Sequence, residues 1–328
     1  MNQQLMIKKI GHGGIKSLIK KATQLGITVS FFSCEKPLIK FKFKEKSVFI
    51  RKGTIPVERR MGDMTRNKNL TKILLREVGI KTPYGIIATS FNEATSLIKK
   101  NDLSYPLIVK PLDGSLAKGV TWDIQSKNEL RKAISILEKN KGLTKYRRFM
   151  VEEMFIGDEF RVLVINKRVI SCVKKMPASI LGDGHSTIKK LIASFNKTRL
   201  KGFKIKIDTV VEETLEKNKL TLKSILPNNF NFKLRNNLNM SDGGRSIEYT
   251  DKMAKHFKKI CEDAIEILGL TFGGIDFMTK NISRKKSPYV ILEVNPNPFY
   301  NMHEKPLVEG NGVDVSYEIL KNIFPKLK

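Results

Sequence analysis

Two apolar runs near the end of the chain, FGGIDF and YVILEVN, each carry a carboxylate. Asp276 lies in the first and Glu293 in the second, with Asn295 two residues beyond. Side chains alternate along a strand, so an extended YVILEVN puts Glu293 and Asn295 on one face, and Asp276 comes from the neighbouring strand. Two carboxylates and an amide form an oxygen-only set that suits magnesium, which keeps waters and phosphate oxygens in its other positions. Unpaired carboxylates in such apolar surroundings would be costly without a cation. Far upstream, Lys110 closes the apolar run YPLIVK and is followed by the loop DGSLAKG. An ammonium there can offset phosphate charge. The loop amides around Gly114 and Gly119, with Ser115 and Lys118, can cradle phosphate oxygens, although an ordinary hairpin turn also accounts for the loop.

These residues need a scaffold of mixed helices and strands. An amphipathic helix over 15–25 stops at Gly26 and leads into strands over 27–32, 38–43 and 47–51, a small α/β unit of 64 residues. A helix in NKNLTKILLREVG ends at Gly79. The strand YGIIAT, a helix over 92–100, the strand YPLIVKP, the strand VTWDI and a helix over 127–138 follow. RFMVEEMF, EFRVLVIN and KRVISCVKK read as a three-strand antiparallel meander, with Asn166-Lys167 at a tight turn. Helices over 187–196 and 251–268 flank a polar, irregular stretch, NNFNFKLRNNLNMSDGGRS. FGGIDFMT, YVILEVN and a closing helix over 313–324 complete the pattern.

The chain has 328 residues, 41% hydrophobic and 28% charged, which describes a folded globular protein. No apolar run is long enough to span a membrane, and the start, MNQQLMIKKIGHGG, has no secretory-signal pattern. Cys34, Cys172 and Cys261 stand apart from one another, with no zinc-type spacing, which fits a reducing, cytoplasmic setting. The net charge is +29, and most of the 61 basic residues are lysines scattered along the chain. Compositional bias accounts for that charge, and so does attraction to polyanions or acidic substrates. No zinc-finger or RNA-binding motif accompanies it, so nucleic acid is not the expected partner. Nor is there a Ser/His/Asp or Cys/His arrangement for a covalent nucleophile.

The order of these motifs resembles the ATP-grasp carboxylate–amine ligases, most closely the ATP-grasp domains of cyanophycin synthetase and bifunctional glutathione synthetase. The resemblance runs from TRNKNLTKILL through YPLIVKPLDGSLAKGV, VEEMFIGDEFRVLVI, MPASILGDGHSTIKKLI and LRNNLNMSDGGRSIEYTD to EVNPNPFYNMHEKPLVEGNGVDVSYEIL. It implies an α+β fold in which two subdomains clasp ATP: residues 65–328, with 84–153 covering the nucleotide and 154–328 binding metal and substrate, preceded by the unit over 1–64. By the same resemblance, Lys68 and Lys110 contact the nucleotide phosphates. Glu152 lies near the adenine amine, the backbone at Met154 and Phe155 pairs with the ring, and Glu159 binds ribose. Arg161 and Lys174 face the γ-phosphate and the acyl phosphate. Asp276, Glu293 and Asn295 hold magnesium, usually two ions, with manganese able to substitute. Ser241 and Arg245 fall where relatives shape the substrate pocket. His185 and His303 recur at similar places, where a structural role is the plainer reading.

The implied reaction is ATP-dependent amide formation through an acyl phosphate, with ADP and phosphate released. An amino acid or short peptide is the expected substrate. Addition of amino acids to an acidic peptide or protein is the alternative, and a polyanion- or nucleic-acid-binding protein on a degenerate ATP-grasp fold is the rival from another class. Relatives make a dimer or tetramer the expected assembly. The chain departs from cyanophycin synthetases at Ser115, Leu116 and Lys118, where asparagine, histidine and arginine are usual. It also lacks their Mur-ligase-like domain and the glutamate–cysteine ligase half of the bifunctional synthetases, so a stand-alone ligase with one active site is expected.

Overall fold

The computed structural model describes residues 13–33, 38–51, 68–112, 119–139 and 148–327. Its elements, in chain order, begin with α1 (Gly13–Gln24), β1 (Thr28–Ser33), β2 (Leu38–Phe43), β3 (Lys46–Arg51), α2 (Lys68–Glu77), β4 (Gly85–Ala88) and α3 (Phe91–Lys100). Next come β5 (Leu107–Pro111), β6 (Thr121–Ile124), α4 (Lys127–Lys139), β7 (Phe149–Glu153), β8 (Asp158–Ile165), β9 (Arg168–Met176) and β10 (Ser179–Leu181). They continue with α5 (Ile188–Lys197), α6 (Thr209–Lys217), β11 (Asn231–Lys233), β12 (Arg245–Glu248) and α7 (Lys255–Ile267). β13 (Phe272–Thr279), β14 (Tyr289–Asn295), β15 (Val308–Glu309) and α8 (Val315–Ile323) close the chain. They group into two compact units: residues 1–58, 159–253 and 297–328 in the first, 59–158 and 254–296 in the second. The expected boundary at residue 64 lies outside the described residues.

In the first unit, β1, β2 and β3 form an antiparallel sheet in sequence order. α1 lies against β1 and α8 through Ile15, Leu18, Ile19 and Ala22, all buried at the spacing of one helical face. β8 and β9 form a hairpin whose turn residues, Asn166 and Lys167, both have positive φ, 49° and 59°. That is the geometry that twists with the strands. β12 joins β9 antiparallel, and β15 joins β12 parallel. The stretch expected to be irregular thus contains β11, paired with β10, and the start of β12, paired with β9. α5, α6 and the β10–β11 pair share a core of Ile180, Ile188, Ile192, Val211, Leu215 and Phe232.

In the second unit, a four-stranded sheet runs in the order β4-β7-β5-β6. One face is apolar, with Leu107, Val109, Phe149 and Val151 packed on Ala94 of α3 and Leu130, Ala133, Ile134 and Leu137 of α4. Helices are held by side-chain caps such as Ser90, whose hydroxyl accepts from the Glu93 amide at the start of α3. The placement of β7 corrects the expected meander. β7 pairs with β4 and β5, whereas β8 pairs with β9. The break falls at 154–157, where a Cβ on Gly157 would lie 2.8 Å from the Thr279 carbonyl oxygen. Only glycine lets the chain pass that close as it leaves the sheet.

The other glycine with a positional role is Gly85, which stands opposite Glu152 in the β4–β7 ladder. A Cβ there would lie 2.5 Å from Glu152 Cγ and 2.5 Å from the Val151 carbonyl oxygen. Gly85→Ala is expected to cost about 1–3 kcal/mol through overpacking. A thermal melt of that variant unchanged from wild type would show that the close approach does not constrain the sheet.

Candidate functional site

Strand alternation explains how the second unit assembles a polar cluster. Leu107 and Val109 of β5 point into the core, so Ile108 and Lys110 take the opposite face. Ile108 stands across from Glu152 and Lys110 from Met150, which puts Lys110 and Glu152 on a diagonal of that same face. The Lys110 ammonium donates to Glu152 Oε2 at 2.5 Å. The other carboxylate oxygen, Oε1, accepts from Lys72 of α2. Lys72 and Glu152 are each 2% exposed, so both are effectively removed from water.

Two cations thus share one anion. Burial alone would raise the Glu152 carboxyl, but the charges and hydrogen bonds of Lys110 and Lys72 outweigh it and hold it below the usual carboxylate range. Lys72 is pushed down to about 7, first by burial and then by the Lys110 charge, against the pull of Glu152. A buried carboxylate held this way is far from water, and stripping it of its cations would be strongly destabilising.

The metal-type residues come from the β13–β14 hairpin in the same unit. Asp276 pairs with Glu293, and Gly274 pairs with Asn295. Directly opposed residues share a face, and Asn295 follows Glu293 by two, so all three side chains leave the same face. Asn295 Nδ2 lies 3.4 Å from Asp276 Oδ2. A register shift makes this possible. Phe277 pairs with Ile291 while Asp276 pairs with Glu293, so Leu292 is the extra residue. Without it, strict alternation would send Glu293 to the face of Ile291, which is fully buried against the core. Among the described residues no group of three or more His, Cys, Asp or Glu side chains is placed to hold a metal. The set here is two carboxylates and an amide, all oxygen donors, which fits a hard cation such as magnesium.

α2 links the two clusters within this unit. It packs on β14, and Lys68, Thr71, Lys72 and Leu75 line a tight crevice with residues 291–294, Glu293 included. Lys68 and Lys72 are one helical turn apart, so they share a side of α2. Met154 and Phe155, the expected adenine hinge, line a separate open cleft of about 450 Å³ with Arg76, Thr82, Tyr84 and Val290. The Met154 amide already donates to the Pro106 carbonyl at 2.9 Å. Gly114, Ser115 and Lys118, the expected phosphate loop, lie outside the described residues.

The remaining expected residues belong to the first unit, where the register separates two of them. Arg161 pairs with Val173, and Phe160 pairs with Lys174. Arg161 and Lys174 therefore leave opposite faces of the β8–β9 hairpin, and the joint approach to one phosphate expected of them is not what the hairpin provides. Lys175 shares the Arg161 face and ion-pairs with Glu159. Arg245 grips Glu309 of β15 in a two-pronged pair, Nε–Oε1 at 2.5 Å and Nη2–Oε2 at 2.6 Å, and adds a bond to Ser179 at 3.1 Å. Those hydrogen bonds raise its affinity for the proton further. Ser241 lies in a short turn of the SDGGRS segment. His303 is completely buried, with Nδ1 2.8 Å from Ser171 Oγ. Burial and the nearby Arg161 charge push it down to about 3, which makes it a neutral, structural imidazole. His185 is exposed beside Asp183.

Lys72 and Glu309 are functional-site candidates that sequence reasoning missed. Glu309 follows a stretch with no periodic signal. Lys72 carried a signal that pointed the wrong way, because in KILL the apolar Ile73 is 43% exposed while Lys72 is buried.

A bifunctional glutathione synthetase from Pasteurella multocida superposes with a TM-score of 0.75 at 23% identity, over 96% of this chain and 44% of that one. The fold is that of the ATP-grasp proteins. Within it, residues 65–190 match the RimK-like ATP-grasp domain. Cyanophycin synthetase of Crocosphaera subtropica is 32% identical over 273 residues, covering 80% of this chain and 31% of that protein. The glutathione biosynthesis bifunctional protein of Listeria welshimeri is 33% identical over 274 residues, covering 80% and 34% respectively. The chain thus spans about a third of the length of these curated relatives.

The lowered Lys72 sets a pH signature. The folded value of about 7 lies below the unfolded value of 10.5, so between them the unfolded chain binds the extra proton. Stability therefore rises with pH across that window, and the penalty of the buried charge is complete below it. Lys72→Met is expected to flatten this rise. Urea midpoints from pH 6 to pH 10 that keep the wild-type slope in the variant would assign the effect to another group.

Proposed function

We propose that the chain is an ATP- and magnesium-dependent carboxylate–amine ligase that forms an amide through an acyl phosphate and releases ADP. The observation that carries this reading is the pair of clusters in the second unit. Asp276, Glu293 and Asn295 share one face of a hairpin, and α2, packed on that hairpin, supplies the lysine that braces Glu152 and Lys110. A surplus of buried positive charge beside an oxygen-only ligand set suits a nucleotide polyphosphate carrying a hard cation. The ATP-grasp fold, and relatives named cyanophycin synthetase and glutathione biosynthesis bifunctional protein, support it.

In this reading Asp276, Glu293 and Asn295 would hold the magnesium, whose charge when bound offsets that of the phosphate oxygens. Two ions, with manganese as a substitute, fit the donor chemistry. Lys68 and Lys110 hold phosphate oxygens, and Lys110 also steadies charge as the γ-phosphoryl group passes to the substrate carboxylate. Met154 and Phe155 bind adenine, and Glu152, whose carboxylate oxygens are held by Lys72 and Lys110, acts on the nucleotide through Lys110. The Met154 amide is committed to Pro106, so the Phe155 amide is the donor left to the ring in this scheme. Glu159 holds ribose, with Lys175 orienting it. Arg161 offsets charge on the transferred group, and an amine then expels phosphate from the acyl phosphate. Gly114, Ser115 and Lys118 are assigned to the phosphates, and water must be kept out because it would hydrolyse the intermediate. Lys174 and Arg245, with the expected substrate segment around Ser241, serve the acyl and amine substrates from the other face of the hairpin.

The acyl substrate supplies the carboxylate. An amino acid or short peptide is the first choice. The net charge of +29 favours a second, addition of amino acids to an acidic peptide or protein, because a field of that sign concentrates acidic partners. A cytoplasmic, dimeric or tetrameric enzyme completes the proposal. Among the described residues no helix is long and apolar enough to cross a membrane.

The test is ADP release screened over pairs of amino acids and acidic peptides, with mass spectrometry of the product. Lys110→Ala and Glu293→Gln are each expected to lower turnover by about two or more orders of magnitude, in line with the loss of a group that stabilises transferring charge. AMP as product, or wild-type rates in both variants, would remove the proposed chemistry. Binding to nucleic acid that falls steeply with salt, without substrate-stimulated turnover, would select the polyanion-binding alternative.

A further inference from the structure

Lys72 is assigned no contact with nucleotide, metal or substrate above, yet it is the most deeply buried ammonium of the cluster. It is 2% exposed and bonded to Glu152 Oε1, whereas Lys110 takes Oε2 and keeps more access, with a side chain 14% exposed. The Glu152 stem lies over Gly85 of the facing strand, in the space that a Cβ there would fill. If Lys110 were its one counter-ion, any anion drawing on Lys110 would leave a carboxylate uncompensated in the interior. With two cations on one anion, the cluster keeps a positive surplus on the more accessible member.

We infer that Lys72 is a positioning residue, the resident counter-ion of Glu152, which releases Lys110 to bind an anionic phosphate group. The inference rests on the nucleotide-binding reading and assigns Lys72 no contact with substrate. The arrangement works by division of labour: Lys72, sealed from solvent, stays on the buried carboxylate, and Lys110 is shared between that carboxylate and the incoming phosphate. Without Lys72, Glu152 would claim the whole of Lys110, and the phosphate would have to compete with a desolvated carboxylate for it.

This makes a sign-specific prediction for a pair of substitutions. Lys72→Met in the full chain is expected to weaken binding of a fluorescent ATP analogue by about tenfold or more, equivalent to about 1.4 kcal/mol. Glu152→Gln removes the competing charge but keeps an acceptor at the same place. Added to Lys72→Met, it is expected to bring the dissociation constant back to within about threefold of wild type, because the two effects share one interaction and cannot be additive. A merely structural Lys72 gives the opposite result, since a second core substitution deepens the defect. Thermal melts of all three variants accompany the titrations. Wild-type affinity in Lys72→Met overturns the inference, and so does a double variant as weak as the single one. A wild-type chain that binds no analogue at all overturns the nucleotide reading, and the inference falls with it.

Discussion

One carboxylate, buried almost completely, organises the second unit. Glu152 could not stay ionised in that environment alone, since the cost of removing a charge from water far exceeds one hydrogen bond. It stays ionised because two ammonium groups reach it from different elements, Lys110 along β5 and Lys72 from α2. The demand constrains everything around it. β4 must present a glycine at the facing position, β7 must run between β4 and β5, and α2 must lie where Lys72 can reach. Those requirements join residues separated by up to eighty positions in the chain, and each is visible in the strand pairing.

The second constraint is a conflict between packing and chemistry on β14. The strand must bury Val290, Ile291 and Val294 and yet deliver Glu293 and Asn295 to the side of Asp276. A regular strand of period two cannot do both, because Ile291 and Glu293 would fall on one face. The register shift at Leu292 resolves the conflict by rotating the second half of the strand relative to the first. The same alternation, undisturbed, separates Arg161 from Lys174 on β8 and β9.

Much of this was legible before any coordinates. The periodic helices, the apolar strands and the two carboxylates with their amide could be read because each element buries one face and so repeats at its own period. The α+β ATP-grasp fold implied by the ordered motifs agrees with the superposition on a glutathione synthetase. What was illegible has identifiable causes. β7 looked continuous with β8 because both are apolar, and only the ladder shows that it serves another sheet. β12 and β15 are four and two residues long, too short for a period to register. Lys72 was hidden because α2 exposes Ile73 and buries its neighbour, a reversal that makes sense only once Glu152 is known to be waiting. Arg245 was singled out, but its bidentate partner Glu309 was not, because sequence spacing carries no information about a parallel neighbour.

The irregularity at Leu292 bears on solubility as well. YVILEVN is the kind of stretch that recruits other chains, rich in β-branched residues and nearly devoid of charge, and a straight border of unpaired amides along it would invite intermolecular pairing. β14 ends the strand order of its sheet, so that border is its own. The shift kinks the line of amides midway, and the Ile291 amide is already taken by the Lys81 carbonyl at 2.9 Å. The feature that aims the carboxylates therefore also spoils the template for aggregation.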